Sequence, residues 1–269
     1  MVTNASTDSV RMYGEPPFRI AVVHGGPGAG GEMAPVAREL ARDRGVLEPI
    51  QTATSLEGQV DEVRCALEKC GDPPIVLIGF SWGAWLGFIL AGSHPILVEK
   101  LILVSSGPFE ERYAKMLYET RVRRLGALDG EAFDAAISAL NDPATEDKDA
   151  ALTRLGALSR IADTFSPIDE DLAEAEVIGP RADVFQGVWQ EAARLRRRGA
   201  LLALGEEIRC PVVAIHGDYD PHPARGVEAP LSMVLEHFRF ILLPRCGHKP
   251  WIERHAKDRF FEVLKSELS

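Results

Sequence analysis

The sequence predicts an α/β fold, a mostly parallel sheet flanked by helices with an inserted helical cap, and three observations predict it. Short apolar runs of strand length alternate with segments whose apolar residues recur three and four apart. The runs are apolar at successive positions, as strands covered on both faces of a parallel sheet must be. From about Gly107 to about Glu207 the alternation stops and only charged, helical patterning remains. Residues 107–207 are therefore expected to form the cap, and 1–106 with 208–269 the sheet domain.

The lead from Met1 to Phe18 is polar and is expected to be partly disordered. Arg19-Ile20-Ala21-Val22-Val23-His24 is the first strand, broken by Gly25-Gly26-Pro27-Gly28-Ala29-Gly30-Gly31. A helix follows with Met33, Val36, Ala37 and Leu40 on one face, then a strand from Val46 to Ile50. Thr54 and Glu57 make a capping-box signature before a helix carrying Leu56, Val60, Val63 and Leu67. Pro74 to Ile78 is a buried strand that runs into Gly79-Phe80-Ser81-Trp82-Gly83, and Ala84 to Ala91 reads as a helix buried on most sides. Leu101 to Ser106 is the next strand. Helices are expected over Glu131–Leu140, Asp149–Phe165 and Arg181–Leu195, separated by Asn141-Asp142-Pro143 and Gly179-Pro180. Strands resume at Pro211–His216 and Phe238–Leu243, and a terminal helix spans about Trp251 to Leu268.

Composition narrows the function classes. A chain of 269 residues with 46% hydrophobic content buries a full core without staples. The formal net charge of -10 argues against nucleic acid or an anionic membrane as partner. Arg194-Leu195-Arg196-Arg197-Arg198 is a local exception, read as a solvated helix face ending at Gly199. Cys65, Cys70, Cys210 and Cys246 show no paired spacing, so free and mostly buried thiols are expected. With no apolar leader and no membrane-length run, a cytoplasmic location is the expectation.

Ser81 sits at a sharp strand-to-helix turn, the geometry of a nucleophile elbow, where a side chain at Gly79 or Gly83 would collide with neighbouring backbone. A serine hydroxyl is a weak nucleophile at neutral pH, so it needs an imidazole base oriented by a carboxylate. Asp220 and His248 each follow a strand, at the sheet edge that also carries Ser81. His24-Gly25-Gly26-Pro27-Gly28 lies at a strand end on that edge too. Acyl transfer passes through an oxyanion, and the N–H groups of Gly26, or alternatively Gly25, and Trp82 are the expected donors, with Gly25 and Phe80 expected to border the substrate.

Together these residues resemble the α/β-hydrolase family, and within it the HGGPG-bearing branch that includes proline iminopeptidases. The resemblance runs from about Arg19 to the end and implies a sheet of up to eight strands, a lid over the serine, the chain order Ser81, Asp220, His248, and no cofactor. The segment before Arg19 is short, so one or two leading strands are expected to be missing. Phe80 stands where the iminopeptidases generally carry glycine, and Glu170, Asp171, Glu174 and Glu176 are candidates for holding a substrate's free amine. The expected activity is serine hydrolysis of a small-molecule ester, amide or short peptide, or a proline iminopeptidase-like cleavage; a non-catalytic binding protein on the same fold is the alternative.

Other readings compete for the same residues. Gly26, Gly28 and Gly31 satisfy a dinucleotide-binding spacing with Glu48 as the ribose acid, but Pro27 removes an amide and Ser81, Asp220 and His248 go unexplained. Asp218, Asp220, His222 and His216 could be metal ligands, although closely spaced Asp and His are common on turns and no metal is expected. Asp218 rivals Asp220 as the orienting acid. His24 is expected to orient its loop, and His94, His237 and His255 to lie at the surface. Trp82, Trp85 and Trp189 are either pocket walls or core.

Overall fold

The structure is a computed structural model that describes residues 9–168, 178–179 and 181–268. Seven strands form one sheet: β1 (Val10–Tyr13), β2 (Ile20–Val23), β3 (Val46–Pro49), β4 (Ile75–Phe80), β5 (Val98–Val104), β6 (Val212–Gly217) and β7 (Phe238–Leu243). Their spatial order is β1-β3-β2-β4-β5-β6-β7. Only β1 runs antiparallel, pairing Val10 with Pro49 and Tyr13 with Val46. The lead thus contributes an edge strand that its polar composition did not signal. Its short Val-Arg-Met-Tyr alternation is anchored by burying Glu48 against Tyr13, whose hydroxyl donates to the carboxylate at 2.7 Å.

Alternate residues of each strand point to opposite faces. Ala21, Val23, Leu77, Leu101, Leu103 and Ala214 join one apolar cluster with α2 (Leu56–Cys70), α3 (Trp82–Ser93) and α8 (Arg225–Val234). Ile20, Val22, Ile78, Ile102, Val104 and Ile215 join the other with α1 (Ala34–Leu40) and α9 (Lys257–Glu267). This two-sided burial is why the strands are apolar throughout. Ser55, one residue later than expected, caps α2 by accepting from Gly58 N at 3.2 Å, which leaves Glu57 too early for a reciprocal box.

Helices α4 (Glu111–Asn141), α5 (Lys148–Asp163), α6 (Ala182–Arg197) and α7 (Ala200–Ala203) form the insertion between β5 and β6. Helix α4 starts well before the expected Glu131 and bends at Gly126, whose φ of 72 departs from helical geometry. At the end of α6, Arg194, Arg197 and Arg198 are exposed as expected, while Arg196 turns back to Glu111 at 2.8 Å. Of the four cysteines, all free, only Cys246 is buried. The terminal helix begins at Lys257, after a 3-10 turn at Pro250–Ile252. Among the described residues no helix is long and apolar enough to cross a membrane.

Candidate active site

Parallel register brings the carboxyl ends of the central strands to one edge. Val23 pairs with Gly79, Phe80 with Val104, Val104 with Ile215, and Gly217 with Leu243. The chain reverses its order of addition between β2 and β4, and crevices open at such switch points. The loop after β2 and the turn after β4 flank this one.

Ser81 occupies that turn with φ 52 and ψ -110, a conformation that non-glycine residues rarely adopt. The strain is held from both sides. A Cβ on Gly79 would meet the Gly83 carbonyl, and one on Gly83 would meet the carbonyls of Val23 and His24. Only glycine lets strand, turn and helix approach this closely.

Asp220 and His248 converge on Ser81. His248 Nε2 lies 3.0 Å from Ser81 Oγ, and its Nδ1 lies 2.8 Å from Asp220 Oδ2. A carboxylate only accepts, so Nδ1 carries the proton and Nε2 is left to accept from the serine hydroxyl. Burial alone would lower the His248 pKa; the adjacent Asp220 charge and their hydrogen bond outweigh it and raise the imidazole above its ordinary value. Asp220 has no exposed side-chain surface, yet three nearby imidazoles hold its carboxyl well below the usual range despite the opposing effect of burial. Asp218 takes a different part: its Oδ1 accepts from Cys246 N at 3.1 Å and so braces the loop that carries His248.

Around this trio lie His222 and His216, weighed from the sequence only as metal ligands, and Arg121 and Asp163, which sequence reasoning missed. His222 Nδ1 lies 2.8 Å from Asp220 Oδ1, and its ring stacks on His248 with centroids 4.6 Å apart. His216 Nε2 donates to the His222 carbonyl at 2.8 Å. Asp220, His222 and His248 place one donor atom each within 4.8 Å of one another, but these atoms hydrogen-bond among themselves, and Asp218 is turned away from the group. The insertion supplies Arg121, which clasps Asp163 through two bonds of 2.8 and 2.6 Å. The Asp163 carbonyl in turn accepts from His248 N at 2.8 Å. No local sequence pattern signals a contact that joins residues so far apart.

A cavity of about 760 Å³ opens above Ser81. Gly26, Phe80, Trp82, His222 and His248 border it with the serine, and α4, α5 and α6 supply apolar walls including Phe133, Leu152 and Trp189. Phe80 is 1% exposed and packs edge-on against Trp251 at 4.7 Å. Gly25 is buried behind Phe80 and does not border the cavity. Trp85 belongs to the core and stacks on Trp189, centroids 5.9 Å apart. Lys249 and Glu32 pair at 2.9 Å on the rim of the site.

The remaining candidates fall into place. His24 is fully buried, donates from Nδ1 to the Gly25 carbonyl at 2.8 Å and accepts from Gln51 N at 3.3 Å, which fixes the glycine loop. Burial lowers its pKa, consistent with a neutral ring. Glu48 is buried in the sheet, where it accepts from Tyr13 and lies 3.7 Å from Arg11. His237 and His255 are exposed and His94 half-buried. Glu170, Asp171, Glu174 and Glu176 lie outside the described residues.

Residues 20–263 match the family model described as the alpha/beta hydrolase family. The chain belongs to the alpha/beta hydrolase family. A search of curated proteins finds no sequence match. Solved structures share the fold at low identity. VinJ is 18% identical with a TM-score of 0.70, covering 96% of this chain and 93% of its own. A proline iminopeptidase from Mycobacterium smegmatis is 19% identical with a TM-score of 0.62, over 96% of this chain and 93% of its own. The monoacylglycerol lipase of Paleococcus ferrophilus is 16% identical with a TM-score of 0.61, over 96% and 97%.

Proposed function

We propose that this hydrolase-family member is a serine hydrolase that cleaves a carboxylic ester or amide of a small molecule through an acyl-enzyme. The observation that carries the reading is the hydrogen-bonded chain from Ser81 Oγ through His248 to Asp220, with the serine at the floor of a cavity large enough for a drug-sized substrate. Ser81 Oγ attacks the carbonyl carbon as its proton passes to His248 Nε2. The tetrahedral oxyanion is held by the N–H groups of Gly26 and Trp82, both of which border the cavity beside the serine. Trp82 opens α3, so its N–H has no partner within the helix, and the helix dipole favours negative charge there. His248 then protonates the leaving alcohol or amine, leaving an acyl-serine. Water attacks that ester, His248 takes its proton, and the acid departs as Ser81 regains its hydrogen.

The cavity favours an apolar acyl group. Its walls are largely aliphatic and aromatic; of the cations that border it, Arg121 and Lys249 are each paired with a carboxylate and Arg160 lies exposed. One observation bears on the peptidase alternative: Glu32 borders the cavity and its Oε2 makes no hydrogen bond, so a substrate ammonium reaching it would share the carboxylate with Lys249. A panel of p-nitrophenyl esters beside aminoacyl anilides, prolyl included, separates the two. Esters with apolar acyl chains are expected to be the better substrates, and Ser81→Ala should lower their turnover on the order of 10⁴-fold or more. Preference for aminoacyl anilides that is lost in Glu32→Gln would favour the peptidase reading, and full activity in Ser81→Ala would end both.

A further inference from the structure

Asp220 holds two imidazoles, and only one of them faces Ser81. His248 uses Oδ2; His222 uses Oδ1, through its ring Nδ1 at 2.8 Å and its backbone N–H at 2.9 Å. The His222 ring lies 25° from parallel to the His248 ring with centroids 4.6 Å apart, so it also forms the wall against which His248 rests. Its position is fixed from behind, since His216 Nε2 donates to its carbonyl. Pro221 and Pro223 flank it and restrict the backbone on either side. A turn residue this buried, 6% exposed and held by three separate bonds, is built in rather than incidental.

We propose that His222 is a positioning residue: a neutral second imidazole that donates to Asp220 Oδ1, fixes the plane of that carboxylate for His248, and limits how much of its charge His248 receives. The proposal rests on the Ser81–His248–Asp220 reading above. It gives a use to the second carboxylate oxygen, which a two-residue relay leaves unassigned. The groups facing the pair are Asp220 from the same loop, His216 from β6, Arg121 from α4 and Asp163 from α5. Burial is the largest influence on His222 and lowers its pKa, partly opposed by Asp220, which favours the neutral ring near pH 7. Neutrality matters: a cationic neighbour on the same carboxylate would oppose the imidazolium that forms on His248 as Ser81 attacks.

The full-length protein carrying His222→Phe keeps a flat ring against His248 but has no donor for Asp220. His222→Asn supplies an amide donor near the former Nδ1 position. With a p-nitrophenyl ester, His222→Phe should lower kcat by about 10- to 100-fold with KM little changed, the range expected for losing a hydrogen bond to a charged group. The acid limb of its pH profile should move to higher pH, because undivided carboxylate charge binds the His248 proton more tightly. His222→Asn should recover most of kcat and return the limb. Wild-type kcat and limb in His222→Phe would overturn the proposal, and so would equal losses in Phe and Asn variants with an unmoved limb, the signature of packing alone. Should the Phe variant fail to fold, nitrogen-15 NMR of the wild-type histidines decides: a protonated Nδ1 and bare Nε2 on His222 at neutral pH support it, and the reverse tautomer overturns it. That tautomer is read without turnover, so its failure is separable from a failure of Ser81 as nucleophile.

Discussion

In the proposed mechanism Ser81 and His248 carry the chemistry at the scale of single residues. The serine's backbone strain costs roughly 1–3 kcal/mol and persists only because the two glycines beside it allow strand and helix to close around it. His248 must be neutral to accept the serine proton, and its pKa is raised by Asp220 in spite of burial. Activity is therefore expected to fall as pH drops through a midpoint above about 6.5, higher than an unperturbed imidazole would give. A pH profile of kcat/KM with its acid limb at or below that value would contradict the pairing. Ser81, Asp220 and His248 were legible in the sequence because each immediately follows an apolar strand, and strand ends share an edge. His222 was read only as a possible metal ligand, since nothing local to Asp220-Pro221-His222 reveals that the second carboxylate oxygen turns back on the same loop.

Elements decide whether His248 stays where Ser81 needs it. The segment after α5 is sewn to the His248 loop by one buried carboxylate: Glu253 accepts from Phe165 N at 2.8 Å, Ser166 N at 2.7 Å and Gly247 N at 3.0 Å. Ile168 N to the Ile252 carbonyl and Arg254 N to the Ser166 carbonyl, both 2.9 Å, complete a short antiparallel contact around Pro167 and Glu253. The insertion is thus tied to the loop it covers and does not hang free above it. Glu253→Gln exchanges an acceptor oxygen for an NH₂ that faces N–H donors, leaving at least one buried amide unpaired at about 1–3 kcal/mol. Thermal melts should fall by roughly 2–10 °C, with kcat falling as well; an unchanged melting temperature and rate would remove Glu253 from this role. The helical character of the insertion was legible from its three-and-four spacing. Glu253 was not: Trp251 to Leu268 reads as one helix, whereas Pro250–Ile252 forms a 3-10 turn, Glu253 is held by the Phe165, Ser166 and Gly247 amides, and α9 begins at Lys257.

Across the whole molecule, a sheet buried on two faces fixes one reactive edge, and the insertion roofs it to leave an apolar chamber over Ser81. The parallel pairing of the central strands follows from continuous apolar runs joined by helical crossovers, the longest of them the insertion between β5 and β6. Strand β1 escaped notice because four residues with one charged side chain carry little pattern, and their place depends on Glu48, an acid buried inside the sheet. Chamber and edge make one claim together, that Ser81 forms a covalent acyl bond under the control of His248. Intact-protein and peptide mass spectrometry after reaction with a fluorophosphonate tests it most directly. The expected result is a single adduct on the peptide containing Ser81, absent from Ser81→Ala and slowed on the order of 10³-fold or more in His248→Ala. No adduct, or an adduct on another residue with Ser81 unmodified, would contradict the account.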